Sequence, residues 1–312
     1  MPPLKRKIKN VGKYGLRKLF EVGQGFGFDI LPRHFYSELA DIRDLRRDDR
    51  WKEPRSLLGV NGTDLYEQLR FLEKCSSDRL KRRTQPESIH IQALRENNLD
   101  EGYGTVEADC LYCFIQETKP QKIVQVGCGV STSVILQAAD AVGYLPELSC
   151  IEPYPNVFLA DQARRGRIKL VAEKAQHVPL ELLTDLGENG FLFVDSTHTV
   201  KAGSEVNRII LEVMPRLKPG SYIHFHDIHF PYDYIPDLLS SALFFWSESV
   251  LLLAYLMDNP RYTILASLCM LQHKLPRELA AIFPTFLPAD KEHGLKMSTG
   301  EFPSSIYLRT VA

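Results

Sequence analysis

From Val106 onward the chain alternates short, wholly apolar, β-branched runs with stretches of helical length, and this alternation constrains its fold more than any other feature. A helix over Val106–Glu117 leads into Lys122-Ile123-Val124-Gln125-Val126, which reads as a buried strand. Gly127-Cys128-Gly129 then breaks the chain, and Ser131 or Thr132 is placed to cap a helix running to about Val142. Strands follow at Leu148–Glu152, Lys169–Glu173, Phe191–Val194 and Ser221–Phe225. Helices at Val157–Arg164, Leu180–Leu186 and about Gly203–Met214 separate them, with Pro215 set to end or kink the last. A helix at Glu248–Met257 and strands at Tyr262–Ala266 and Ser305–Arg309 complete the pattern. Five strands alternating with helices demand a parallel sheet covered on both faces.

The expected fold is therefore α/β, a Rossmann-like doubly wound domain over residues 91–312 with a mostly parallel seven-stranded sheet. Residues 1–90 show no such alternation beyond a short helix at Asp64–Lys74. They read as a helical or irregular extension, a lid (with Phe35 and Tyr36) or an oligomerisation segment of a homo-oligomer. The polar stretch Ser76–Pro86 reads as its connector.

Charge and cysteine usage exclude several classes. A net charge of −1 gives no field to draw in nucleic acid. The longest apolar stretch in the α/β region, Val250–Met257, is far too short to span a bilayer. Lys5, Arg6, Lys7, Lys9, Lys13, Arg17 and Lys18 make the first twenty residues locally basic. Interleaved with apolar residues, they read either as a solvated leader or as an amphipathic helix with weak membrane-surface contact. Six cysteines in a chain of this size make no disulfide framework, and Cys110 and Cys113 read as neighbours on a buried helix face. The expected location is cytoplasmic.

In doubly wound sheets ligands bind beyond the carboxyl ends of the strands, where the strand order reverses. With the order 3-2-1-4-5, Gly127-Cys128-Gly129, Asp195-Ser196-Thr197-His198 and His226-Asp227 converge on one crevice. Gly127-x-Gly129 offers backbone N–H groups at a helix N-terminus. Thr132 stands where a dinucleotide fingerprint wants glycine or alanine, against an NAD(P)-linked oxidoreductase. Glu152, ending the second strand, is placed to accept from both ribose hydroxyls of an adenosine. His198, His224, His226 and His229 all fall in the predicted crevice with Asp195 and Asp227, and His224, deeper in its strand, reads as structural. The loop Phe230-Pro231-Tyr232-Asp233-Tyr234 reads either as a sugar-binding face or as a cover for the core, and Trp246 and Glu248 as part of the same wall.

Val124-Gln125-Val126-Gly127-Cys128-Gly129-Val130-Ser131 followed by Ile151-Glu152-Pro153 resembles the first two motifs of class I S-adenosylmethionine methyltransferases. Phe193-Val194-Asp195-Ser196-Thr197-His198, then Asn207 to Pro219-Gly220, then His224-Phe225-His226-Asp227-Ile228 are similar to metal-dependent O-methyltransferases of the macrocin and cephalosporin-tailoring kind, methyltransferase family 24. The resemblance covers about Glu101 to Pro260. It implies S-adenosylmethionine held by Gln125, Gly127, Gly129, Ser131, Glu152, Gln176 and Asp195. It also implies a divalent metal, magnesium or manganese, at Asp195, His226 and Asp227, with His198 as base and His226 as the alternative base. Gln125 departs from the acid usual at its position, and His226 replaces one of two consecutive acids. The implied reaction is methylation of a hydroxyl on a small-molecule or sugar acceptor. Competing readings are the oxidoreductase, a non-catalytic cofactor-binding module, and an iron hydroxylase using Asp195, His198 and His226.

Overall fold

The computed structural model describes residues 15–76, 79–80, 87–98, 102–233, 244–288 and 302–311. The basic leader through Lys13, most of the Ser76–Pro86 connector and Tyr234 lie outside the described residues. The described residues up to Asp49 form one compact unit and those from Arg50 onward another. In the first, residues 15–25 are helical, with Arg17 and Lys18 both paired to Glu21. A one-turn helix at Ile42–Leu45 is capped by Asp41, whose carboxylate accepts from the Arg43 N–H.

The larger unit begins well before residue 91, the boundary expected from the sequence. Its helices α1 (Leu65–Ser76) and α2 (Ile89–Glu96) each present an apolar face to the sheet domain. Leu69, Leu72 and Cys75 of α1, and Ile89 and Ala93 of α2, are buried in the main core. Burial of these apolar side chains packs α1 and α2 into the core of the α/β unit.

Seven strands form one sheet, β1 (Lys122–Val126), β2 (Glu147–Ile151), β3 (Lys169–Val171), β4 (Phe191–Val194), β5 (Tyr222–Phe225), β6 (Tyr262–Ser267) and β7 (Ile306–Thr310). Their order is β3-β2-β1-β4-β5-β7-β6. The first five are parallel, and β7 inserts antiparallel between β5 and β6. The period of two sorts each central strand between two cores. Ile123, Phe191 and Phe193 face the core with α1, α2, α3 (Thr105–Thr118) and α4 (Val130–Ala141). Val124, Val126, Leu192 and Val194 face the core on the other side. Both faces are apolar because both are covered, as the wholly apolar run Phe191–Val194 predicts.

Further helices among the described residues are α5 (Val157–Arg164), α6 (Leu180–Thr184), α7 (Glu205–Arg208), α8 (Glu248–Leu256), α9 (Leu268–Lys274) and α10 (Pro276–Ile282). Beyond α7 the helix widens into a π segment at Ile209–Val213 and tightens into a 3-10 turn at Met214–Arg216. Pro215 sits inside that turn, so it marks the end of the helix without truncating it. No helix among the described residues is long and apolar enough to cross a membrane.

Candidate active site

The carboxyl ends of β1, β4 and β5 are held level by ladder bonds that run one residue past each strand. The Gly127 N–H donates to the Ile151 carbonyl (3.1 Å), Asp195 N–H to Val126 (2.9 Å), and His226 N–H to Val194 (2.9 Å). Gly127 has φ +79° and faces the Asp195 backbone so closely that a Cβ would overlap its carbonyl oxygen. Only glycine lets β1 turn here with β4 alongside.

Two adjoining cavities open at these ends. The larger, about 430 Å³, runs from Gly127 and Glu152 past Gln176 to Asp195, Ser196 and Glu205. The smaller, about 220 Å³, lies over Gly127, Cys128, Gly129 and Ser131, with Tyr103 as one wall. Gly127, Glu152 and Asp195 line both. Glu152 keeps its carboxylate at the rim, accepting from the backbone N–H groups of Cys128 (3.2 Å) and Tyr154 (2.9 Å). The larger cavity is within the range of ligand pockets, roughly 300–1,000 Å³.

Gln125 lines neither cavity. It is fully buried beneath the β1 turn, donating to Ser131 Oγ (2.8 Å) and accepting from Thr132 Oγ1 (2.9 Å). Thr132 Oγ1 in turn accepts from the Gly129 N–H (3.1 Å). The structure thus gives Gln125 the task of holding the turn from below, because its amide is spent on two hydroxyls. Thr132, odd as a fingerprint residue, is the second member of that network.

At the far side of Asp195 four polar groups converge. His198 Nε2 lies 3.4 Å from Asp195 and 3.5 Å from Asp227, and His226 Nδ1 lies 3.4 Å and 3.5 Å from the same two carboxylates. His198 Nδ1 meets Glu248 at 2.9 Å, and His226 Nε2 meets Glu107 at 3.0 Å. Glu107 also accepts from Ser304 N–H (2.9 Å) and Ser305 Oγ–H (2.7 Å). His198 and Asp227 both adopt the left-handed backbone region (φ 55° each), which non-glycine residues seldom enter. The His198 carbonyl accepts from the Ser247 and Glu248 N–H groups (2.9 and 3.0 Å), so the start of α8 fixes both its backbone and its ring.

Burial alone would lower both imidazole pKa values, but the carboxylates outweigh it. The Asp195, Glu248 and Asp227 carboxylates hold His198 up at about 10, and Asp227, Glu107 and Asp195 hold His226 well above its ordinary value. Burial pushes Asp195 up, yet His226 and His198 keep it far below the usual carboxylate range. Burial dominates at Glu248 and raises it.

Of the other sequence-derived candidates, His224 is structural. It is fully buried, stacks on Phe193 (4.2 Å between centroids, 7°) and lies 3.4 Å from the Tyr103 hydroxyl. His229 is buried against Trp246 and Phe302, and burial lowers it to about 4. The loop after β5 covers the core, as one of its two readings had it. Phe230 is buried, Tyr232 packs on His273, and Asp233 is tied to Arg55. Trp246 packs on His198 (4.9 Å) and stacks with Phe244 (5.3 Å, 11°). Sequence reasoning missed Glu107. Its one signal was a carboxylate in the first turn of the largely apolar helix α3, where burial demands a partner.

The sequence model of methyltransferase family 24, described as a methyltransferase domain, matches residues 124–228, which hold every strand end described above except β6 and β7. An uncharacterized protein of Archaeoglobus fulgidus is 30% identical over 183 residues, covering 54% of this chain and 77% of that protein. Among solved structures, the Podospora anserina methyltransferase PaMTH1 with S-adenosylhomocysteine bound is 16% identical at a TM-score of 0.42, covering 91% of this chain and 99% of that one. The O-methyltransferase TomG of Streptomyces achromogenes, in complex with S-adenosylmethionine, is 13% identical at 0.44, covering 79% and 99%. The chain belongs to the class I S-adenosylmethionine-dependent methyltransferases and resembles family 24 over residues 124–228.

Proposed function

We propose that the protein transfers the methyl group of S-adenosylmethionine to a hydroxyl of a small-molecule or sugar acceptor, with a divalent cation assisting. The observation that carries this reading is the position of Asp195. Its residue lines both cavities and its carboxylate reaches both imidazoles, so donor and acceptor would meet across one side chain. Holding two reactants in a single geometry supplies a large share of such an acceleration.

On this reading Glu152 takes the ribose hydroxyls, and the Gly127–Gly129 turn and Ser131 frame the methionine end in the smaller cavity. Gln176 lies along the adenosine side of the larger one. The exposed Phe244 and the half-buried Trp246 offer an aromatic surface next to His198 for the acceptor. A cation held by Asp195, Asp227 and His226 would supply acidification of the acceptor hydroxyl. These residues fit one, because the buried His226 Nδ1 makes no hydrogen bond although two carboxylates lie 3.4 and 3.5 Å away. Neither imidazole is free as a base in this arrangement, since each has one nitrogen on a buried glutamate and the other between the two aspartates. All six cysteines are free, in keeping with a reducing compartment such as the cytoplasm.

The test is calorimetric titration of the metal-stripped protein with S-adenosylmethionine and, separately, with NADH. S-adenosylmethionine is expected to bind, and Glu152→Ala to weaken it by roughly 10–100-fold, the loss of hydrogen bonds to a charged acceptor. Binding of NADH instead, or of neither, overturns the reading.

A further inference from the structure

We propose that His198 is a metal ligand, not a base, and that Asp195, His198, His226 and Asp227 together form a two-histidine, two-carboxylate centre selecting a nitrogen-accepting transition metal over magnesium. The inference rests on the cation-assisted reading above and names the cation's class and its fourth ligand.

Three observations carry it. The first is aim. His198 Nε2 and His226 Nδ1 both point between the same two carboxylates, at 3.4–3.5 Å from each. His226 Nδ1 is buried and forms no hydrogen bond there. Ligand atoms of Asp195, His198 and His226 all lie within 4.8 Å of one another, as ligands around one ion do, and Asp227 stands beside both imidazoles.

The second is orientation. Each ring's remaining nitrogen is held by a buried glutamate, His198 Nδ1 by Glu248 (2.9 Å) and His226 Nε2 by Glu107 (3.0 Å). Metal-bound histidines are characteristically fixed this way, by a carboxylate that takes the outer N–H and leaves the inner nitrogen's lone pair for the ion. A general base at His198 would need that inner nitrogen to reach an acceptor, and two aspartates stand in front of it. Because Glu107 and Glu248 come from α3 and α8, on opposite flanks of the site, the two rings are positioned independently.

The third is charge. Four carboxylates and two imidazoles are packed into one pocket, and among the described residues no lysine or arginine lies within ion-pair range of any of the four. A divalent cation answers that surplus. The imidazole side chains retain 7% and 8% of their surface, the aspartates 20% and 19%, so the open side of the centre is its oxygen side. Magnesium favours an all-oxygen shell and keeps its waters, whereas manganese, iron(II), cobalt(II) and zinc accept imidazole.

The experiment uses the full-length, metal-stripped protein titrated with cobalt(II), read by its visible d–d absorption, and with magnesium in competition. Cobalt is expected to bind with a ligand-field spectrum diagnostic of nitrogen donors and to resist displacement by a ~100-fold excess of magnesium. His198→Gln should abolish that spectrum, and Glu248→Gln and Glu107→Gln should each weaken cobalt by roughly 10–100-fold. Thermal melts verify folding of every variant. If one glutamate variant does not fold, the wild-type spectrum, the competition and His198→Gln still decide. Displacement by equimolar magnesium, or an unchanged spectrum in His198→Gln, overturns the proposal. The same samples are titrated with S-adenosylmethionine. Binding of that donor without a cobalt signal refutes the metal centre alone, while a cobalt signal without donor binding sinks the methyltransferase assignment and leaves the centre standing.

Discussion

Replacing Gly127 by alanine tests whether the β1 and β4 ends are locked together as the site requires. A Cβ at this position would overlap the Asp195 carbonyl oxygen and lie 2.7 Å from its carbon, where ordinary contact begins near 3.4 Å. The two strand ends must separate, straining the bond from Asp195 N–H to the Val126 carbonyl. Two costs add. A left-handed φ costs a non-glycine residue about 1–2 kcal/mol, and a weakened backbone hydrogen bond about 0.5–1.5 kcal/mol. Gly143 separates them, since it has φ +66° with nothing within 4 Å of its would-be Cβ. Gly143→Ala should therefore cost only the backbone part, about 1 kcal/mol, and Gly127→Ala about 2–4 kcal/mol. For a domain of this size that is a fall in Tm of about 2–4 °C against about 5–12 °C, measured by circular dichroism. Donor affinity, by calorimetry, should fall in Gly127→Ala and stay unchanged in Gly143→Ala, because only the first displaces Asp195. Equal Tm shifts in the two variants, or wild-type donor binding in Gly127→Ala, would falsify the claim that this glycine is set by Asp195.

Three further outcomes follow from buried polar groups. Gln125→Leu leaves the Ser131 and Thr132 hydroxyls without their partner and should lower stability by about 2–4 kcal/mol, read as a lower urea midpoint; a midpoint within error of wild type means the network does not hold the turn. Burial, with Glu117 adding to it, pushes the Cys75 thiol up to about 12 from an ordinary 9.0, so its thiolate at pH 8 is scarcer by roughly a thousandfold. Mass-spectrometric alkylation should find it inert until the protein unfolds, and rapid labelling of native Cys75 contradicts its burial. Burial lowers His273 from 6.5 to about 4, so the unfolded chain takes up this proton first as pH falls. The stabilisation is fully present above about pH 6.5 and is lost between there and pH 4, worth about 1–3 kcal/mol after allowing for the ring's partial exposure. His273→Phe, which keeps the packing on Tyr232 and Phe302, should flatten that part of the urea-midpoint profile; an unaltered slope assigns it elsewhere.

What could be read from the sequence divides along the range of the interactions involved. The strands of the sheet and the helices flanking its first five strands were legible because each is written locally, in runs such as Phe191–Val194 whose periodicity reports burial on both faces. The convergence of Gly127, Glu152, Asp195, His198 and His226 was legible because sheet topology brings carboxyl ends together whatever the side chains are. Two things were not. Helices α1 and α2 are too short and too polar on one face to announce the sheet they pack against, and their tie to the larger unit is the buried set Leu69, Leu72, Cys75, Ile89 and Ala93. Glu107 meets His226 across 119 residues, and no local pattern encodes a pairing at that distance. The roles of the histidines follow from such pairings and not from residue type. His198 alone suits a base, but with Glu248 on one nitrogen and two aspartates before the other it has the orientation of a ligand. The imidazole at 226, first of the pair 226–227 where the resemblance implies two acids, likewise has a buried glutamate, Glu107, behind it to hold the ring.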